Sequence, residues 1–275
     1  MVATWKFLLP AAGLLGVGLL LARPGTLPGG HATPATADVR FATLGYLAPQ
    51  ELPNSIALLS EPPQAGSPEM KRDTEERDAA LRMRDTPRYA LAIADSSREQ
   101  SSTEAAFQCA FGTEISAERT PAISRLLARV RVDVRAATYP AKSHFRRDRP
   151  FVTYNTHPCN PADEENVRHD GSYPSARGAA GWAYALVLSD LNPSRAEQIL
   201  NRGREFGQSR VVCDEEWLSD VDAARAVATA VLAAIQEKPA YRADFDAAKK
   251  ETAEALQSSM MPPNCRSEAL ALASR

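Results

Sequence analysis

Apolar residues recur three or four positions apart through most of this chain, the spacing that places them on one face of a helix. The clearest run follows Thr120-Pro121 and contains Ile123, Leu126, Leu127, Val130 and Val134. Strand-like alternation of any length does not occur, so the pattern predicts an all-α fold. Further helices are expected over residues 69–83, 88–96, 103–111, 179–191, 196–206, 217–236 and 241–258.

Two of these segments differ in composition. Residues 179–191 are apolar and rich in small side chains, which favours a buried central helix. Gly178 and Gly181 would let a neighbouring helix approach it closely. Residues 241–258 carry many charges, as expected of a helix on the surface.

Residues 141–150 are interpreted as the end of a helix that Pro150 helps to terminate. On that helix Lys142 and Arg149 would lie seven positions, or two turns, apart and would share a face. The proline-broken residues 151–170 predict a loop at the rim of a pocket.

The first 37 residues have the features of a secretory signal peptide. Lys6 precedes an apolar run over residues 7–22, and Ala35-Thr36-Ala37 offers a small-x-small cleavage site near Ala37. The run has about 16 residues, fewer than the roughly 20 that a membrane span needs, so an uncleaved anchor is the less favoured alternative. The sequence predicts a periplasmic or secreted protein with no stable membrane span after cleavage.

Residues 38–67 are rich in proline, which disfavours helix, and are expected to form an extended arm across the domain surface. Residues 68–275 are then the length of one helical domain.

The 44% hydrophobic and 24% charged residues are ordinary for a globular protein. The net charge of -2 gives no sign of a nucleic-acid partner. The oligomeric state stays open, with a homo-oligomer as one option.

Four cysteines, Cys109, Cys159, Cys213 and Cys265, remain in the predicted exported chain. An even number in that setting favours disulfides, and the sequence allows three full pairings. The alternative is a reactive thiol at Cys213, beside one of the polar blocks described next.

Three polar blocks carry the candidate chemistry. They are Lys142 followed after six residues by Arg149-Pro150, then Pro174-Ser175, and then Ser209-Arg210 followed by Asp220. Their order and spacing resemble the type-2 phosphatidic acid phosphatase (PAP2) superfamily. That pattern is Lys, six residues, Arg-Pro; then Pro-Ser-Gly-His; then Ser-Arg, five residues, His, three residues, Asp. The residues around the second and third blocks look like those of class A bacterial nonspecific acid phosphatases.

The resemblance covers nearly all of the chain after the signal peptide. It implies one helical PAP2-like domain with a proline-rich arm, and an acid phosphatase that uses neither cofactor nor metal. It also implies phosphate or a phosphorylated small molecule as the ligand. Three positions depart from the pattern, because Arg177 and Glu216 replace its two histidines and Ala176 replaces its glycine.

The resemblance implies a phosphate site formed by Lys142, Arg149, Arg210, the Ser175 hydroxyl and the backbone amides near Ala176. The chemistry of these residues supports the same site. Arginine forks suit phosphate oxygens, lysine supplies a point charge, and a helix N-terminus favours anions. The alternative is a solvated basic surface.

In the family, one histidine attacks phosphorus, an aspartate four residues later orients it, and the other histidine protonates the leaving oxygen. Arg177 holds its proton too tightly to act as the acid. Glu216 is a poor nucleophile toward a phosphate dianion. Asp220 would lie one turn beyond Glu216 on the same face.

Two carboxylates this close raise the pKa of one of them or require a cation, and we expect Arg177 and Glu216 to form an ion pair with Asp220 alongside. A hard cation bound by Glu216, Asp220 and Asp214 is the less favoured alternative. His144 would face away from Lys142, and His157 and His169 fall in the predicted rim loop, so none is expected to replace the missing histidines.

Three hypotheses remain. The chain is an exported acid-phosphatase-like protein with a retained phosphate pocket and lost or strongly impaired hydrolysis. Alternatively, it is an active phosphatase that uses a non-standard route through Glu216. The third is a partner-binding structural protein whose pocket is closed by the Arg177–Glu216 pair.

Overall fold

The computed structural model describes residues 44–258 and 262–274. The predicted signal peptide over residues 1–37 and the first part of the predicted arm lie outside the described residues. The described residues belong to one compact unit.

The described residues form an all-α domain without a strand, which confirms the predicted fold class. The helices are α1 (Ser55–Leu58), α2 (Pro68–Leu81), α3 (Pro87–Asp95), α4 (Gln100–Phe111), α5 (Pro121–Phe145), α6 (Pro150–Thr153), α7 (Glu164–Arg168), α8 (Ala176–Leu191), α9 (Ala196–Val212), α10 (Leu218–Gln236), α11 (Pro239–Ser258) and α12 (Cys265–Ala273). None of the described helices is both long enough and apolar enough to span a bilayer.

Local sequence signals explain several helix starts. Ser67 and Thr86 accept hydrogen bonds from backbone amides of the first turns of α2 and α3, and each is followed by a proline at the first helical position. Ser175 does the same for α8, because its hydroxyl accepts from the Gly178 amide at 2.7 Å. The second polar block is therefore also the N-terminal cap of α8.

Helix α8 lies in the core, packed against α5, α9 and α10. Its apolar side chains, with those of α5, build the centre of the main cluster around Leu127, Val134, Ala183 and Leu188. Helices α8 and α9 approach closely because Gly181 has no side chain, since a Cβ there would lie 2.2 Å from the Phe206 ring.

Two predictions about the segment after α5 are wrong. Helix α5 ends at Phe145, and Arg146 adopts a left-handed conformation with φ 46°, so residues 141–150 are not one helix. Lys142 and Arg149 consequently do not share a helical face. The predicted rim loop over residues 151–170 also contains most of α6 and the whole of α7.

Two disulfides join distant segments, Cys109 to Cys265 and Cys159 to Cys213. The first attaches α12 to α4, and the second attaches the segment after α6 to the end of α9. The alternative of a reactive thiol at Cys213 is therefore wrong, because its sulfur is bonded.

Residues 44–67 are largely non-helical and lie along α5. The Tyr46 amide donates to the Asp133 carboxylate at 2.6 Å, and the Ser55 hydroxyl accepts from the Ala141 amide at 3.2 Å. The Tyr173 hydroxyl, just before the cap of α8, donates to the Ser60 carbonyl at 2.9 Å. This segment thus contacts the elements that carry the first two polar blocks.

Candidate functional site

The cations of the three blocks come from three different elements. Lys142 lies in the last turn of α5, Arg149 directly precedes α6, and Arg210 lies in the last turn of α9. We call these three residues the cation cluster. Their exposed fractions are only 2%, 3% and 0%. The structure therefore brings the predicted cations into the interior, and they do not form a solvated basic surface.

The Glu216 carboxylate lies between the two arginines of this cluster. Its Oε1 is 3.4 Å from Nη1 of Arg149, and its Oε2 is 3.7 Å from Nε of Arg210. Burial alone would raise the pKa of the Glu216 carboxyl, but the charges of Arg210, Arg149 and Lys142 outweigh burial and lower it. Glu216 is therefore a buried, ionised carboxylate at the point where the cations converge.

Arg149 also binds the main chain. Its Nε donates to the carbonyls of Val167 at 2.8 Å and Asp170 at 3.0 Å, and its Nη1 donates to the Glu215 carbonyl at 3.0 Å. These bonds join the segment before Ser175 to the segment before α10. They fix the guanidinium and satisfy most of its donors.

Lys142 contacts the same segment. Its Nζ donates to the Gly171 carbonyl and, at 3.3 Å, to that of Ser172, and it lies 3.8 Å from the Asp170 carboxylate. Burial and the positive charge of Arg149 lower the pKa of Lys142 to about 8, against the opposing effect of Glu216.

The predicted pairing of Arg177 with Glu216 is wrong. Arg177 donates through Nη1 to the Ser96 carbonyl, and the same atom lies 3.9 Å from Oε2 of Glu215. Glu215 also forms an ion pair with Nη2 of Arg210. The two adjacent glutamates thus share Arg210, whereas Arg149 contacts Glu216 and Arg177 lies near Glu215.

Glu216 and Asp220 also do not share a helical face, because Glu216 precedes Trp217, the N-cap of α10. Asp220 accepts from the Trp217 amide at 2.7 Å and from Arg147 Nη1 at 2.6 Å. Burial raises the pKa of Asp220 to about 6, although Arg147 opposes the rise. The cation that Asp220 requires is therefore Arg147.

Asp214 has a separate partner. Its carboxylate accepts from Arg77 Nε at 2.6 Å and from the Thr156 hydroxyl at 2.6 Å. This pairing weighs against a hard cation shared with Glu216 and Asp220. The ligand atoms of Cys159, Cys213 and Glu215 also lie close together, but the two sulfurs are already bonded to each other.

The remaining candidate residues are two histidines of the predicted rim loop and two residues of the second polar block. His157 and His169 are exposed and pair with carboxylates of α7, at 2.8 Å to Glu164 and 3.5 Å to Glu165. Ser175 is fully buried, and its own amide donates to the Asp220 carbonyl at 2.9 Å, which joins the second block to the third. Ala176 is the first residue of α8.

Each of these four acids thus has at least one arginine partner: Asp214 has Arg77, Glu215 has Arg210, Glu216 has Arg149 and Arg210, and Asp220 has Arg147. Sequence reasoning did not select Arg77, Arg147 or Glu215. The run of three adjacent acids was a signal that several arginines would be needed, but it did not indicate which. A cleft of about 500 Å³, lined by Lys142, Arg146, Arg147 and Arg149 among others, reaches the edge of this network.

Comparisons with known proteins agree with the motif pattern. Residues 126–243 match the model of the PAP2 superfamily. The chain is 39% identical over 211 residues to a non-specific acid phosphatase of Providencia stuartii, which covers 76% of this chain and 85% of the relative. It is 36% identical over 207 residues to one of Salmonella typhi, covering 75% of this chain and 83% of that relative. An acid phosphatase of Zymomonas mobilis is 33% identical over 207 residues, which is 75% of this chain and 78% of that relative.

Proposed function

The chain belongs to the PAP2 superfamily, among the bacterial non-specific acid phosphatases, and we propose that it keeps the cationic site of that family with hydrolysis lost or strongly impaired. One observation carries the proposal. The Glu216 carboxylate lies between Arg149 and Arg210, with its pKa lowered by their charges. The Glu216 carboxylate thus forms ion pairs with the same arginines that would bind a phosphate.

Loss of hydrolysis follows from the chemistry of two side chains. Arg177 stays protonated near neutrality, so it can stabilise negative charge but cannot donate a proton to a leaving oxygen. The position of the family's nucleophile carries Glu216. Asp220, the family's orienting residue, has no imidazole beside it in the part of the chain that the structure describes and is bound to Arg147.

A non-standard route through Glu216 has less support. Its carboxylate would have to attack phosphorus while Arg149 and Arg210 neutralise the incoming phosphate. The same two arginines are the ion-pair partners of Glu216. Arg149 and Arg210 would then have to neutralise the Glu216 carboxylate and the incoming phosphate at the same time.

We further propose that phosphate or a phosphorylated small molecule is the ligand and that it competes with the Glu216 carboxylate for the cation cluster. The protein would be exported, as the signal-peptide features of residues 1–37 indicate. A partner-binding role with a permanently closed site is the second candidate, and the closed ionic network around Glu216 favours it. Binding of phosphate separates the two.

The test is phosphate binding by the parent and by Glu216→Gln. Removing the internal anion leaves buried Arg149 and Arg210 undercompensated, which destabilises the fold and raises its affinity for an external anion. We expect inorganic phosphate to bind at least about tenfold more tightly to the variant by calorimetry, a difference of about 1.4 kcal/mol. Phosphate should also raise the melting temperature of the variant more than that of the parent.

Glu237→Gln is the matched control, because Glu237 is exposed at the end of α10 and the substitution makes the same change in net charge. It should bind phosphate as the parent does. If neither the parent nor a folded Glu216→Gln variant binds phosphate, the ligand proposal is wrong and the closed, partner-binding alternative is favoured.

A further inference from the structure

A second group of arginines lies on the exposed side of α5, outside the ionic network of the candidate site. Arg131 and Arg135, one turn apart on this helix, line a cleft of about 420 Å³ together with Tyr139 and Gln100. Ala128, Val132 and Ala136 supply its apolar lining. We call it the α5 cleft. Its volume lies within the roughly 300–1,000 Å³ typical of small-molecule sites.

The arginines of the α5 cleft lack the carboxylate partners that the arginines of the candidate site have. Among the described residues no carboxylate lies within 4.0 Å of Arg131 or Arg135. The side chain of Arg135 makes no hydrogen bond to any described residue, whereas Nη2 of Arg131 donates to the Arg98 carbonyl at 2.6 Å.

The surroundings concentrate positive charge further. Burial lowers the pKa of Arg131, and the like charges of Arg135 and Arg177 lower it more, with Glu99 as the opposing carboxylate. The buried carboxylate of Glu104 accepts from Gln100 at 2.7 Å and Ser124 at 2.8 Å, and burial raises its pKa. Arg131 and Glu104 do interact, since the charge of Arg131 lowers the pKa of Glu104 against that burial. The guanidinium groups of Arg131, Arg135 and Arg177 still outnumber the carboxylates of Glu99 and Glu104 at the α5 cleft.

The far end of the α5 cleft is aromatic. Tyr139 follows Arg135 by one turn and is 49% exposed. At 1.5 Å per residue, Arg135 and Tyr139 are about 6 Å apart along the helix axis, and Arg131 and Tyr139 about 12 Å. A ligand with a dianionic group and a planar ring attached to it spans this distance.

We propose that the α5 cleft binds small aromatic phosphate or phosphonate dianions, with Arg131 and Arg135 on the anionic group and Tyr139 on the ring. Guanidinium groups suit tetrahedral oxyanions, and an exposed phenol ring offers a face for stacking. This proposal does not rest on the proposed function, because it involves neither Glu216 nor the cation cluster.

The test is a calorimetric titration with phenylphosphonate, which cannot be hydrolysed as an ester and so reports binding alone. The parent should bind one equivalent at the α5 cleft, more weakly as salt increases. Arg135→Gln should weaken binding roughly tenfold or more, as expected for loss of one charge-assisted contact. Because Arg135 makes no side-chain hydrogen bond to the described residues, this variant should fold as the parent does.

Two further variants check the assignment. Tyr139→Ala should lower phenylphosphonate affinity by about twofold to tenfold, the range expected for an aromatic pair, and leave methylphosphonate affinity unchanged. Lys250→Gln removes one positive charge from an exposed position of α11 and should bind phenylphosphonate as the parent does.

Three results would overturn the proposal. They are no binding by the parent, unchanged binding by Arg135→Gln, and equal weakening by Arg135→Gln and Lys250→Gln, which would indicate a bulk charge effect. Glu216→Gln separates this proposal from the proposed function. It should leave phenylphosphonate binding at the α5 cleft unchanged even if the expected gain in phosphate affinity is absent.

Discussion

Lys142 is a buried lysine, with only 2% of the residue exposed to solvent. Burial and the positive charge of Arg149 lower its pKa from 10.5 to about 8. Between pH 8 and 10.5 the unfolded chain therefore binds a proton at this residue that the folded chain does not bind. Raising the pH through this window removes the cost of burying the charge, so Lys142 should make the fold more stable relative to the unfolded chain as the pH rises.

This effect predicts how Lys142→Met changes stability with pH. The free energy of unfolding of the parent, minus that of the variant, should increase by up to roughly 3 kcal/mol between pH 8 and 10.5. Urea unfolding at several pH values measures it. Lys250→Met, at an exposed position, should show no such change. A parent-minus-Lys142→Met difference that is constant with pH would show that Lys142 has an ordinary pKa in the folded protein.

At the scale of elements, the contact between α8 and α9 holds the second and third polar blocks together. Ser175 caps α8, Arg210 lies in the last turn of α9, and Gly181 packs against the Phe206 ring between them. The apolar, small-residue pattern of residues 179–191 predicted a buried helix with close neighbours. Gly181 fulfils that prediction, because a side chain there would overlap the ring.

We therefore expect Gly181→Ala to destabilise the protein by about 1–3 kcal/mol, the usual cost of overpacking a core. This is opposite in sign to the gain of roughly 1 kcal/mol that the same change gives in an open helix. Denaturant unfolding measures the difference. A Phe206→Leu background removes much of the overlap, so the substitution should cost less there. If Gly181→Ala costs the same stability in both backgrounds, the strain does not come from overlap with the Phe206 ring.

At the scale of the whole molecule, the helices could be predicted because the spacing of apolar residues over a few positions determines the apolar face of each helix. The end of α5 could not be predicted from that spacing, because it depends on Arg146 adopting a left-handed conformation. Motif spacing also predicted that Arg149 and Arg210 converge, and both lie within 4.0 Å of Glu216. The prediction that Glu216 pairs with Arg177 was wrong, since the partners of adjacent glutamates depend on the backbone path between α9 and α10.

The backbone path between α9 and α10 also explains the arginine partners that the sequence did not indicate. The chain turns at Asp214, which has φ 59°, and the disulfide of Cys213 holds this turn to the segment after α6. Asp214 consequently pairs with Arg77, whereas Glu215 and Glu216 share Arg210 and Glu216 also contacts Arg149. Arg77 comes from α2, more than a hundred positions away, where no motif marks it.

The rate of phosphomonoester hydrolysis by the parent protein tests the central claim most directly. The assay would follow 4-nitrophenyl phosphate at mildly acidic pH, with the acid phosphatase of Providencia stuartii as positive control. With Arg177 unable to donate a proton and Glu216 bound to Arg149 and Arg210, we predict a rate close to that of buffer alone. A rate similar to that of the control, and abolished by Glu216→Gln, would contradict the claim and establish Glu216 as a working catalytic group.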